Sequence, residues 1–223
     1  MTPESLEELK RKLIKLKGLY RLQIAGEEFI PLPSTSGRWE QLEKIKREVE
    51  RCTKCPLHKT RLNPVFGEGS PYARLMLVGE GPGEMEDRSG RPFVGRSGQL
   101  LTKLLDEIGI KRTEVYIGNI VKCRPPKNRT PKPEEAVKCK PYLLRQIEVI
   151  SPKVIMALGK TALTYLLNRD LPISRVRGQQ FEWNGRIVIP TFHPSYLLRN
   201  PDALPIAQKD FLLARQLLEK EER

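Results

Sequence analysis

The chain has 223 residues and a formal net charge of +13, with 40 Lys and Arg residues against 27 Asp and Glu residues. This length favours one mixed domain with additions. The basic excess predicts a polyanionic partner, because phosphates neutralised by Lys and Arg release their counterions. Charge alone does not separate DNA from RNA or a membrane surface. No stretch approaches the ~20 apolar residues of a membrane span, and the amphipathic N-terminus is unlike a signal peptide, so the sequence predicts an intracellular protein and excludes a membrane-spanning one.

The first predicted element is an N-terminal helix over residues 2–17, with Pro3 at its first helical position. Its apolar face comprises Leu6, Leu9, Leu13 and Leu16. Glycine, proline and serine residues then interrupt any periodicity between residues 18 and 37. We therefore divide the chain into an N-terminal extension and linker, residues 1–38, and a main domain, residues 39–223.

The main domain opens with a helical pattern and continues with alternating strands and helices. The helix is predicted from Trp39, Leu42, Ile45 and Val49, and it ends just before Cys52. From residue 74, short apolar runs alternate with helical stretches, which predicts an α/β fold with a mostly parallel four-stranded sheet flanked by helices. The predicted strands are residues 75–78, 115–117, 154–158 and 187–189. Helices are predicted at residues 97–108, 133–150 and 160–167, and after Pro205.

Polar or glycine residues follow each of the four predicted strands. An open α/β sheet binds its ligands beyond the carboxyl ends of its strands, so these residues are candidates for a common site. They are the glycine-rich segment 79–83 after the first strand, Asn119 after the second, Gly159 after the third and His193 after the fourth.

Two glycine-containing segments resemble nucleotide-binding loops, but neither matches the complete pattern. Residues 79–84 lack the third glycine of the dinucleotide fingerprint, where Glu84 stands instead. Residues 154–161 lack the first glycine of a phosphate-binding loop, because Val154 lies there inside a predicted strand. We therefore exclude both classes and interpret Glu80, at a strand end, as a functional carboxylate.

The four cysteines of the chain are candidate ligands of one metal centre. Cys52 and Cys55 form a C-x2-C pair, whose turn lets two sulfurs face one metal. Structural zinc usually draws on a second tight pair, whereas Cys123 and Cys139 are far apart in sequence, which favours an iron–sulfur cluster. A zinc site, or an isolated pair beside two ordinary buried thiols, remains open at this point.

Five short motifs occur in order along the main domain. They are C-T-K-C-P-L at 52–57, G-E-G-P-G-E-M-E-D at 79–87, G-R-P-F-V-G at 90–95, G-N-I-V-K-C-R-P-P at 118–126 and H-P-S-Y-L-L at 193–198. Together they resemble the type-4, iron–sulfur uracil-DNA glycosylases of thermophilic bacteria and archaea. The resemblance implies a central parallel sheet of about four strands. It also implies that the four cysteines hold a 4Fe-4S cluster with a structural role.

The same resemblance implies an enzyme that flips uracil out of DNA and cleaves its N-glycosidic bond, leaving an abasic site. Phe93 would stack on the uracil, and the Asn119 amide would pair with O4 and N3–H, a pattern that cytosine does not offer. His193 would donate a hydrogen bond to the negative charge that develops on uracil O2. The rest of the pocket would be lined by Glu80, Gly81 and Pro82.

Other roles follow from the resemblance with less detail. The water-activating aspartate of better-known uracil glycosylases corresponds to Gly81, so Glu80 and Glu86 are the candidate replacements. Tyr196 or Leu197 would enter the gap left by the flipped base. Phosphate contacts would come from a proline-rich loop, through Arg124, Lys127 and Arg129.

The expected partner is uracil-containing DNA, single- or double-stranded, and the expected location is the cytoplasm, in association with the nucleoid. We expect a monomer. A sliding clamp is a further expected partner for the N-terminal extension, although the extension carries no clear clamp-binding motif. Two alternatives stay open, an iron–sulfur nucleic-acid-binding module without catalysis and a zinc-stabilised hydrolase of free nucleosides.

Overall fold

The computed structural model describes residues 35–220, which form a six-stranded sheet with helices on both faces. The helix predicted over residues 2–17 lies outside the described residues, as does most of the N-terminal extension. The division of the chain at residue 38 therefore stays a prediction.

Four parallel strands form the centre of the sheet, as the sequence predicts. They are β2 (Leu75–Gly79), β3 (Tyr116–Asn119), β4 (Val154–Leu158) and β6 (Arg186–Thr191). Two antiparallel strands lie at the edges, β1 (Glu68–Gly69) beside β3 and β5 (Phe181–Trp183) beside β6. The strand order is β1-β3-β2-β4-β6-β5. The sequence analysis missed β1 and β5 because such short strands carry no readable alternation.

The helices predicted within residues 35–220 are present close to their expected positions, together with three short helices that were not predicted. In chain order the helices are α1 (Thr35–Glu50), α2 (Glu84–Ser89), α3 (Arg96–Glu107), α4 (Pro133–Ile150), α5 (Lys160–Leu167), α6 (Ile173–Val176), α7 (Pro194–Arg199) and α8 (Leu204–Lys220). The three that were not predicted are α2, α6 and α7. Short 3-10 turns occupy Pro56–Lys59, Pro126–Asn128 and Pro201–Ala203. Within residues 35–220, no helix combines the length and hydropathy needed to cross a membrane.

Alternate residues of the central strands face opposite sides of the sheet, and both sides are buried. On one side, Met76 and Val78 belong to a core formed with α1, α4 and α5. On the other side, Leu75 and Leu77 belong to a core formed with α3, α7 and α8. Because neither face meets water, these strands appear in the sequence as continuous apolar runs.

The register of the sheet brings the strand ends to one edge. Gly79 pairs with Asn119 at the ends of β2 and β3, and Leu158 pairs with Thr191 at the ends of β4 and β6. The segments that follow these four strands therefore emerge side by side, which is where open α/β sheets hold their ligands.

Candidate active site and cysteine site

An open cleft of about 730 Å³ lies beyond the carboxyl ends of the parallel strands. Its lining includes residues that follow all four central strands. The structure brings together the predicted pocket residues here, namely Glu80, Gly81, Pro82, Glu86, Phe93, Asn119 and His193.

Asn119 and Phe93 lie against each other at the end of β2 and β3. Asn119 is 1% exposed, and its Oδ1 has no hydrogen-bond partner within residues 35–220. A Cβ atom on Gly79 would lie 2.5 Å from Asn119 Oδ1 and 2.7 Å from Phe93 Cζ, so only glycine lets these two side chains meet. The sequence analysis considered Gly79 only as part of a failed fingerprint and missed this role. An unpaired buried acceptor costs ~1–3 kcal/mol, a cost that a bound donor removes.

His193 is the N-cap residue of α7, and its protonation is set by its neighbours. Nδ1 accepts a hydrogen bond from the backbone N–H of Ser195 at 3.1 Å and lies 2.8 Å from the Ser195 hydroxyl, which can donate to the same atom. In the neutral ring the proton therefore resides on Nε2. Burial lowers the pKa of His193 to about 4, and the positive charge of Arg199 acts in the same direction. His193 is therefore a neutral ring at pH 7, with an N–H group available as a donor.

Glu80 and Glu86 both line the cleft, but their carboxylates are engaged differently. Glu80 Oε2 accepts a hydrogen bond from Thr161 Oγ1 at 2.5 Å. No hydrogen bond within the described part of the chain engages Glu80 Oε1. Thr161 belongs to the rejected phosphate-loop segment, so the sequence analysis did not assign it to the site.

Glu86 instead accepts hydrogen bonds on both oxygens from the backbone of neighbouring loops. Its Oε1 accepts from the N–H groups of Val94 and Gly95, each at 2.9 Å, and its Oε2 accepts from Gly83 N–H at 3.1 Å. These bonds fix the segment that follows Phe93, whose backbone lies in the left-handed region at a φ of 50°. Both carboxylate oxygens of Glu86 are therefore engaged, whereas one oxygen of Glu80 has no hydrogen bond from a described residue.

Two of the three predicted phosphate contacts already have partners inside the chain. Arg124 donates to Asn128 Oδ1 at 2.7 Å and to Glu84 Oε2 at 3.3 Å. Arg129 donates to both carboxylate oxygens of Glu135, at 2.8 and 2.7 Å, although it also lines the cleft. The third predicted residue, Lys127, is exposed.

Two other arginines at the cleft are exposed and form no ion pair with any residue in the described range. Arg96 is the first residue of α3, and Arg199 is the last residue of α7. The sequence analysis missed both, because a single arginine at a helix end carries no pattern. The place of Arg96 directly after the G-R-P-F-V-G motif is the signal that could have found it.

The two residues predicted to enter the gap left by a flipped base have opposite environments. Tyr196 is 39% exposed, lines the cleft and packs against the Phe192 ring, with the ring centroids 4.9 Å apart. Leu197 is 2% exposed and belongs to the core that contains α3 and α8. The burial of Leu197 favours Tyr196 of the two for the gap left by a flipped base, and the assignment stays a prediction.

All four cysteines line one small cavity beside α1 and α4. Cys123 Sγ accepts a hydrogen bond from Arg61 Nη1 at 3.1 Å, and Cys139 Sγ accepts one from the Lys122 backbone N–H at 3.2 Å. Cys52 and Cys55 are half-buried.

The cavity disfavours negative charge on its sulfurs unless a cation is present. Burial raises the pKa of Cys139 to about 12, and it also raises the pKa values of Cys55 and Cys123. Within residues 35–220, no set of three or more Cys, His, Asp or Glu residues is close enough to hold a single metal ion. The shared cavity is what makes all four cysteines candidate ligands of one group.

Known proteins are similar to this chain over most of its length. A family model described as the uracil DNA glycosylase superfamily matches residues 66–219. A type-4 uracil-DNA glycosylase of Thermotoga maritima is 53% identical over 188 residues, which is 82% of this chain and 98% of that protein. Type-4 enzymes of Sulfurisphaera tokodaii (47% identity, 80% of this chain and 85% of that one) and Archaeoglobus fulgidus (45%, 82% and 96%) are also similar. The chain therefore belongs to the type-4 family of the uracil DNA glycosylase superfamily.

Proposed function

We propose that this protein removes uracil from DNA by hydrolysing the N-glycosidic bond and leaving an abasic site. The observation that carries the proposal is the buried, unpaired Oδ1 of Asn119 beside the ring of Phe93. Uracil presents an N3–H donor next to its O4 acceptor, so Oδ1 accepts from N3–H while Nδ2 donates to O4. Cytosine presents an acceptor at N3, which would face Oδ1 and leave both atoms unpaired.

Bond cleavage leaves negative charge on the uracil, and His193 is suited to stabilise it. Because Nδ1 accepts from Ser195 N–H, the Nε2–H group is free to donate to uracil O2. A neutral donor is sufficient, since a hydrogen bond that strengthens as charge develops stabilises the transition state more than the substrate.

The sugar becomes cation-like as the bond breaks, and a carboxylate near it lowers the barrier. Glu80 suits this role because Thr161 fixes one carboxylate oxygen and leaves the other available to orient a water. Glu86 supports the same step indirectly, because its backbone hydrogen bonds hold the loop that presents Phe93.

DNA binding is assigned to the exposed rim of the cleft. Arg96 and Arg199 are available for phosphate contacts, and Tyr196 is exposed enough to occupy the gap left by a flipped base. A base in a single strand needs no unpairing, so both single- and double-stranded substrates are expected. A DNA substrate also supports a location at the nucleoid. The monomeric state and a clamp contact of the extension stay predictions.

The four cysteines are proposed to hold a 4Fe-4S cluster. All four cysteines line one cavity, and the similarity to type-4 relatives supports the same assignment. When bound, the cluster would supply a structural connection between the turn after α1, the segment after β3 and α4. The chemistry of uracil removal belongs to the side chains of the cleft.

The decisive experiment incubates the purified protein with an oligonucleotide that contains one uracil and then treats the product with alkali. We expect a break at the uracil position and none in matched oligonucleotides with cytosine or thymine there. Iron, sulfide and zinc are measured in the same preparation. Binding without an alkali-labile break would overturn the proposal in favour of a non-catalytic module. Zinc without iron would overturn the cluster assignment.

A further inference from the structure

Lys122 is a buried lysine that lies between the cysteine cavity and Asn119. It is 1% exposed and lines the cavity. Its Nζ donates a hydrogen bond to the backbone carbonyl of Asn119 at 3.0 Å, and its backbone N–H donates to Cys139 Sγ at 3.2 Å. One residue therefore contacts both functional regions of the molecule.

The carbonyl of Asn119 needs a side-chain donor because the sheet ends there. The edge strand β1 pairs with β3 only at Tyr116 and Ile117, so it stops before Asn119. On the other side of β3, the next backbone groups are held by β2, through a hydrogen bond from Ile120 N–H to the Gly79 carbonyl at 3.0 Å. The Lys122 ammonium completes the pairing at the residue whose side chain faces the cleft.

The ammonium is itself held in place by Gln146 of α4, which is fully buried. Gln146 Oε1 accepts from Lys122 Nζ at 2.6 Å, while Gln146 Nε2 donates to the Tyr116 hydroxyl at 2.9 Å and to the Phe66 carbonyl at 3.0 Å. Every hydrogen bond of the Gln146 amide therefore orients its oxygen toward the lysine. A buried network with all members paired is rigid, and the loss of one member leaves the others unsatisfied.

We propose that Lys122 is a positioning residue for uracil recognition, which fixes the end of β3 so that Asn119 Oδ1 faces the base. The inference rests on the proposed uracil excision. The carbonyl that Lys122 holds and the amide that reads uracil belong to the same residue, so a shift of one moves the other. The backbone contact with Cys139 anchors Lys122 at its opposite end.

The test compares Lys122→Met with Lys138→Met. Methionine retains a long side chain in the same space but removes the ammonium, and Lys138 lines the same cavity without a described contact to Asn119. Rates are normalised to folded molecules by circular dichroism and to iron content. We expect Lys122→Met to lower kcat about ten-fold or more, as loss of a charged hydrogen bond does. Lys138→Met should stay near the wild-type rate.

A second readout separates positioning from a merely structural role. Equilibrium binding of free uracil should weaken in Lys122→Met, while the affinity for uracil-free DNA stays within about two-fold. Unchanged uracil binding and kcat per folded molecule, despite a lower Tm, would overturn the proposal. The proposal would also be overturned if Lys138→Met lost as much kcat and uracil affinity, because the loss would then follow from the positive charge around the cavity and not from the contact with Asn119.

If Lys122→Met does not fold, Gln146→Leu tests the same network. It removes the acceptor that orients the ammonium, and we expect a smaller, several-fold loss of kcat and of free-uracil affinity. Full wild-type values in this variant would contradict the proposal. A wild-type protein that leaves uracil in place would instead refute the proposed function, so the two failures are distinguishable.

Discussion

The cleft and the cysteine cavity lie at the same end of β3 but differ in the hydrogen bonding of their buried polar atoms. In the cleft, Asn119 Oδ1 is buried without a partner, and one oxygen of Glu80 is left without a hydrogen bond from any described residue. In the cavity, the sulfurs of Cys123 and Cys139 each accept a hydrogen bond. Unpaired buried atoms are tolerated where a ligand comes and goes, whereas paired sulfurs suit a group that stays. The contrast agrees with the proposed division into cleft residues that act on uracil and cysteines that hold a structural group.

The largest expected effect comes from a substitution in the cleft that lowers activity and leaves the fold stable. His193→Ala removes the proposed donor to uracil O2, so we expect kcat for uracil excision to fall about 10²- to 10³-fold. Single-turnover excision assays measure the loss, and thermal unfolding checks that Tm changes little. Ser195→Ala removes the hydroxyl that lies 2.8 Å from His193 Nδ1 but retains the backbone N–H that donates to the same atom, so we expect a much smaller loss than in His193→Ala. A wild-type rate in His193→Ala would remove this residue from the mechanism.

The converse substitution, in the cysteine cavity, is expected to lower iron content and thermal stability. Cys123→Ser removes one proposed cluster ligand, so we expect loss of iron and of broad visible absorbance, together with a fall in Tm on the order of 10 °C. Absorption spectra, iron analysis and calorimetry measure these changes. Lys54→Ala is the control, because Lys54 lines the same cavity without a sulfur. A Cys123→Ser protein that kept its iron and its Tm would contradict the four-ligand assignment.

A smaller effect, on DNA affinity, compares two arginines at the rim of the cleft, one without an ion pair to any described residue and one with an internal partner. Arg96→Gln should weaken DNA binding and lower the slope of log affinity against log salt concentration by about one. Arg124→Gln is the matched control, and it should change the slope less because Glu84 and Asn128 already engage Arg124. Fluorescence anisotropy at several salt concentrations measures both. Equal slopes for the two variants would show that internal pairing does not decide which arginines bind phosphate.

The smallest expected effect concerns pH. Because the folded pKa of His193 is about 4 and an unfolded histidine titrates near ~6.5, the unfolded state binds more protons between these values. The stability that the neutral ring contributes is complete above pH 6.5 and is lost as the pH falls toward 4, by up to about 1.4 kcal/mol per pH unit. Denaturant unfolding at pH 7 and pH 5 measures this loss, which His193→Ala should lack. A pH dependence shared equally by His193→Ala would assign it to other groups.

Much of the fold was predictable, because the central strands are buried on both faces and appear as uninterrupted apolar runs. The strand-end rule likewise located Asn119 and His193 without any knowledge of contacts. What the sequence could not reveal are pairings between distant segments. The backbone hydrogen bonds of Glu86 depend on a loop with a left-handed Phe93, and the ion pair of Arg129 depends on how α4 begins. The burial of Leu197 was not predictable either, because α7 is too short to show in the sequence which face is buried.

The two edge strands have a consequence for how copies of the protein behave beside one another. An exposed sheet edge is a template on which a second chain can add a strand, and long flat edges promote aggregation. Here β1 spans two residues and β5 spans three, so each offers few backbone groups for such pairing. Copies of the protein that lie side by side therefore have few backbone groups in β1 and β5 through which their sheets could join.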